Sequence, residues 1–138
     1  MSESRLMTTD SDHIVHRADI DALFDTYRNG FDDFDAEAIA DCFTFPVTIW
    51  QFGKGNIFQD ADDLLDNIEA LLDVLGKEEI ASSDFAIHAC EMVGATAFVS
   101  VEWVQSRADG EEAWRFACHY TLILDSDDVP AIAMIVNA

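Results

Sequence analysis

The sequence predicts a single α+β domain, and three observations carry that reading. Apolar residues recur at helical spacing through the first half, over Ile20, Leu23, Phe24, Tyr27 and Phe31 and again over Leu64, Leu65, Ile68, Leu71, Leu72 and Leu75. Beyond Gly76 the period falls from helical to two. No repeat, low-complexity tract or Pro/Gly/Ser linker interrupts the 138 residues, and a chain of that length buries roughly two-thirds of its unfolded surface without a staple.

Residues 1–16 lack periodicity and are expected to be a flexible N-terminal tail, with the domain running over 17–138. The first helix spans about Asp19 to Asn29, with Asp19, Asp21 and Asp25 off its apolar stripe and Gly30 as its stop. Asp35 caps a second, short helix that buries Ala38, Ile39, Cys42 and Phe43. Pro46 then enforces extended chain, and Val47 to Phe52 has a strand's composition. Gly53-Lys54-Gly55 reads as a tight turn; it lacks the glycine spacing and following Ser/Thr of a phosphate loop. Asp60 caps a third helix that Gly76 ends. Phe85 to Met92, Ala95 to Arg107, Ala113 to Leu124 and Ile132 to Val136 form an antiparallel meander, because their connections are short.

Half the residues are apolar and ten are Phe, which excludes a disordered chain. Only 7 basic residues stand against 28 acidic ones, for a net charge of −21. Such a surface repels phosphate backbones and anionic lipid, so nucleic acid and membrane are not expected partners. No apolar run approaches the roughly 20 residues of a membrane helix, and the start, MSESRLMTTDSDH, has no secretory apolar core, so a cytoplasmic location is expected. Cys42, Cys90 and Cys118 have no C-x-x-C spacing and read as small buried apolar residues rather than a disulfide framework or a zinc knuckle. His13 and His16, beside Asp10 and Asp12, have metal-ligand spacing but no third fixed ligand, so no metal and no other cofactor is expected.

The opening pair ALFDTYRNGFDDFDAEAIADCF and the strand-turn TIWQFGKGNIF leading into a further helix resemble the nuclear transport factor 2-like superfamily, which includes ketosteroid isomerases and polyketide cyclases. The resemblance covers about residues 18–137. It implies a cone-shaped, curved antiparallel sheet packed on three helices, a cystatin-like arrangement around an apolar cavity, with dimers formed through the sheet. The meander agrees, being apolar on both faces, with Phe98 and Val104 on one and Val99, Val101 and Trp103 on the other. In the isomerases a first-helix tyrosine donates to the substrate oxygen, and Tyr27 looks like that residue. Where they carry a catalytic aspartate near the end of the first strand, this chain has Gln51. A carboxamide does not exchange a proton near neutral pH.

The candidate site is therefore a ligand-binding one, with Tyr27, Gln51 and His119 as its residues and no identifiable catalytic base. Each has a second reading. Tyr27 also fits a core tyrosine with a satisfied hydroxyl, Gln51 a structural bond to a neighbouring strand, and His119 a hydrogen-bonded strand residue. Arg115, Ala117 and His119 share one face of their strand, and Trp114, Phe116, Cys118 and Tyr120 the other; parity does not say which face covers the helices. The function expected is binding of a small, largely apolar molecule. The alternatives are a cyclase, hydratase or isomerase of the polyketide-cyclase kind and a dimeric interaction module without a pocket function.

Overall fold

The computed structural model describes residues 13–138. Along the chain run α1 (Arg17–Asp32), α2 (Ala36–Ala40), β1 (Phe43–Gln51), β2 (Lys54–Phe58), α3 (Ala61–Lys77), β3 (Ile80–Val93), β4 (Thr96–Arg107), β5 (Glu112–Leu124) and β6 (Pro130–Asn137). The strands form one curved sheet in the order β2-β1-β6-β5-β4-β3. The meander from β3 to β6 is antiparallel throughout.

Residues 1–12 of the expected tail lie outside the described residues. From His13 onward the chain is already part of the fold, since Val15 is buried and its N–H donates to the Gly94 carbonyl at 2.9 Å. The packed domain thus includes residues before 17.

Helix α1 buries Ile20, Leu23, Phe24 and Tyr27, as its apolar stripe requires. It does not stop at Gly30 but continues to Asp32. Gly30 serves instead as a close approach: a Cβ there would lie 2.8 Å from Ile39 Cγ1, so the missing side chain is what lets α2 pack against α1. The chain reverses at Phe34, whose φ is 52°. Helix α2 is shorter than expected, because Phe43 already belongs to β1. The two cap expectations hold, with Asp35 accepting from the Ala38 N–H at 3.1 Å and Asp60 from the Asp63 N–H at 2.9 Å. Helix α3 passes Gly76, and the left-handed residue after it is Glu79, at φ 59°.

Two features of the sheet depart from the sequence reading. Strand β1 lies parallel to β6, with Ile49 opposite Ile135, so the sheet has one parallel junction. The turn after Gln51 falls on Phe52 and Gly53, at φ 54° and 73°, and Gln51 pairs with Lys54. A two-residue loop with both central φ values positive is a type I′ hairpin. It starts β2, an edge strand that the polar, glycine-containing stretch after it did not announce.

The structure also settles the face of the meander. Val99, Val101, Trp103 and Gln105 of β4 and Cys118, Tyr120 and Leu122 of β5 are buried beneath the helices. Trp50, Phe98, Ile123 and Val136 lie exposed on the opposite, outer face.

Candidate functional site

Between α1, α3 and the inner face of the sheet lies a cavity of about 830 Å³. Its base is aromatic and buried. Tyr27 packs edge-on against Trp103 and Phe43, each with ring centroids 5.9 Å away, and against Phe31 at 5.0 Å. The mouth is formed by exposed residues: Gln51, Phe52 and Gly53 of the β1–β2 hairpin, Asn67, Leu71 and Val74 of α3, and Phe116 of β5. Among the described residues no Asp, Glu, His, Lys or Arg side chain lines it, which sets it apart from the rest of a chain carrying −21. Its polar side chains are neutral: the hydroxyls of Tyr27, Tyr120 and Ser83, the amides of Gln51, Asn67, Gln105 and Asn137, and the Cys118 thiol; the main chain of Ala138 also borders it.

Several of these groups already hold one another. Trp103 Nε1 donates to Tyr120 Oη at 2.9 Å within the core. The Cys118 thiol donates to Asn137 Oδ1, also at 2.9 Å, across the directly paired strands β5 and β6. Gln105 Nε2 reaches Ser83 Oγ at 3.4 Å. Burial pushes the Tyr27 and Tyr120 hydroxyls well above the ordinary tyrosine range, and pushes the Cys118 thiol up to about 11. All three therefore stay protonated near neutral pH. They can donate hydrogen bonds but do not cycle a proton there.

Of the sequence-predicted residues, Tyr27 and Gln51 line this cavity from different depths. Tyr27 is buried at the base, whereas Gln51 is exposed at the mouth, one residue before the turn. His119 does not belong with them. It sits exposed on the outer face, where Ser100 Oγ is 2.8 Å from its Nδ1. The reason is strand parity: with Cys118 and Tyr120 turned inward, His119 must point out. No sequence motif marks Asn137 as a cavity residue; its direct pairing with the inward Cys118 does.

His13 contacts Asp128 rather than sharing a site with His16, and Asp10 and Asp12 lie outside the described residues. Among the described residues no group of three or more metal-ligating side chains converges. A second hollow, about 640 Å³ and more open, lies between α2 and α3 and is lined by Asp33, Asp35, Glu37, Glu69 and Asp73. It has the character of a solvated acidic surface. No helix among the described residues is long and apolar enough to cross a membrane.

A curved sheet wrapped over three helices around a largely apolar cavity defines the class: an α+β cone. Residues 18–138 match the family described as NTF2-like protein (DUF6841), and the chain belongs to that family. Solved structures with the same fold include an NTF2-like protein of unknown function from Shewanella oneidensis MR-1, 18% identical, covering 87% of this chain and 96% of that one with a TM-score of 0.69. Another is a domain of unknown function with a cystatin-like fold from Nostoc punctiforme PCC 73102, 14% identical over 90% of this chain and 78% of that one, TM-score 0.73. A function-unknown protein from Mycobacterium tuberculosis is 19% identical over 88% and 74%, TM-score 0.67. No curated protein sequence matches. At these identities the likeness speaks for the fold alone.

Proposed function

We propose that the protein binds a small, neutral, largely apolar molecule in the cavity between α1, α3 and the inner face of the sheet. The observation that carries this reading is that, among the described residues, no charged side chain lines the cavity in a chain of net charge −21. A volume of about 830 Å³ lies within the range of small-molecule pockets, which are mostly apolar with a few polar groups that orient the ligand. The surrounding negative field disfavours anionic ligands, and the lining offers them no compensating cation. Tyr27 orients the ligand from the base and Gln51 from the mouth.

Binding is favoured over turnover because the cavity's titratable groups hold their protons near neutrality. The outer face supplies the second part of the proposal. Phe98, Ile123, Trp50 and Val136 remain exposed there, with Thr121 directly opposite Phe98 in the register. A second copy of this chain is the occupant we assign to it, because its centre is apolar and part of its charged rim is self-neutralised through the Arg115–Glu102 and Arg115–Glu112 pairs, with Glu91 of β3, opposite Phe98, adding a negative charge that salt must screen.

The test is a titration with Nile red, a neutral dye whose emission shifts to the blue in apolar surroundings. Saturable binding of one dye per chain is the expected result, unchanged by Phe98→Glu on the outer face. Binding that the outer-face substitution abolishes would locate the dye on the sheet exterior and overturn the cavity reading.

A further inference from the structure

We infer that Asn137, oriented by Cys118, is the residue that reads a hydrogen-bond acceptor on the bound molecule, and that the ligand carries a carbonyl or equivalent neutral oxygen at that point. This rests on the cavity-binding reading above and makes it specific.

The argument begins with the backbone. Cys118 and Asn137 are direct partners across β5 and β6, and the Ala138 N–H donates to the Ala117 carbonyl at 3.1 Å, so the strand position of Asn137 is fixed. Its side chain faces inward with Cys118 and lines the cavity. The next step is the state of the amide. The Cys118 thiol donates to Oδ1 at 2.9 Å, which occupies the acceptor end. Among the described residues Nδ2 has no partner, leaving two N–H donors for the cavity. The thiol remains a donor because burial holds its proton. With the thiol donating to Oδ1, the NH2 group is the end turned to the cavity, and the opposite flip would exchange this S–H···O bond for an N–H···S contact to a weak acceptor.

The alternative polar groups are less able to discriminate. Gln105 Nε2 already reaches Ser83, and Tyr120 Oη, which accepts from Trp103, has the Tyr27 hydroxyl as a hydrogen-bond partner at the buried base. Gln51 is exposed at the mouth and competes with water. A half-buried, preoriented donor pair facing an apolar cavity discriminates by leaving N–H groups unpaired when the ligand lacks an acceptor.

The experiment compares 9-fluorenone with fluorene, a pair of the same shape that differ by one carbonyl, each titrated against the protein by isothermal calorimetry. The expected result is binding of both, with fluorenone preferred by about three- to tenfold, the range of one net hydrogen bond. Asn137→Leu should bind both and lose the preference. Cys118→Ala should weaken the preference, and Cys118→Ser, which restores a donor, should recover it. Binding of both compounds with no preference, or a preference that survives in Asn137→Leu, overturns the role of Asn137 while leaving the cavity reading intact. Failure of both compounds to bind overturns the cavity reading and this inference with it. Should Asn137→Leu not fold, the Cys118→Ala and Cys118→Ser pair carries the same decision.

Discussion

Trp103 Nε1 donates to Tyr120 Oη at 2.9 Å, and both side chains are buried at the base of the cavity. The bond ties β4 to β5 through side chains as well as through the strand ladder. In Tyr120→Phe the indole N–H loses its acceptor in an apolar surrounding, at a cost of about 1–3 kcal/mol in denaturant-derived stability. Trp103→Phe combined with Tyr120→Phe removes both partners and should cost less than the sum of the single changes. Strict additivity would mean that the bond contributes nothing to the core.

Asp32 carries a pH prediction. Its Oδ1 accepts from the buried Ser83 N–H at 2.8 Å. Burial raises its carboxyl above the ordinary aspartate value, against the opposing pull of that hydrogen bond and of Arg28. A raised folded value means that the stability the group contributes is present below the unfolded pKa of about 4 and is lost as pH rises through the folded one. Asp32→Asn keeps an acceptor for Ser83 and removes the charge. Its stability relative to wild type should therefore rise as pH increases from acid toward neutrality, as urea midpoints would show. Parallel curves for the two proteins would contradict this.

Phe52 is 95% exposed and takes a left-handed φ of 54° at the first turn position of the β1–β2 hairpin. Asparagine adopts that conformation more readily than phenylalanine, and Asn-Gly is the favoured type I′ pair. Phe52→Asn should stabilise the protein by roughly 1 kcal/mol. It also removes an aromatic ring from the mouth of the cavity, so dye affinity should fall as the melting temperature rises. A rise in both would show that Phe52 has no part in binding.

Self-association rests on the outer face. Wild-type protein should sediment at twice the chain mass in moderate salt and dissociate as salt is lowered, because −21 per chain repels its copy when unscreened. Phe98→Glu, opposite Thr121 at an exposed site, should sediment as a monomer with its circular dichroism unchanged. A variant that still pairs would place the interface elsewhere.

The legible parts of the fold are those where one face is apolar and the other polar. Helices α1 and α3 show their stripes plainly, and the Asp35 and Asp60 caps follow from them. Strand β2 escaped because Lys54, Gly55, Asn56 and Ile57 are all exposed on an edge strand, leaving no buried alternation to read. The parallel pairing of β1 with β6 joins segments separated by a helix and a whole meander, beyond the reach of local pattern. Gly30 looked like a helix stop because its tertiary role, space for Ile39, has no local signature. The family resemblance put Tyr27 and Gln51 at one cavity, but it carries no depth, and depth decides that Gln51 meets solvent. The misplacement of His119 came from parity: alternation separates the two faces of β5 without saying which one the helices cover.

The central claim is that a neutral molecule enters the cavity beside Trp103. In Trp50→Phe with Trp114→Phe, Trp103 is the remaining indole of the three in the chain, buried and lining the cavity. Titration of that variant with 9-fluorenone should quench its emission saturably, with one equivalent per chain. Saturable binding by calorimetry that leaves the Trp103 emission unchanged, or no saturable binding at all, would contradict the account.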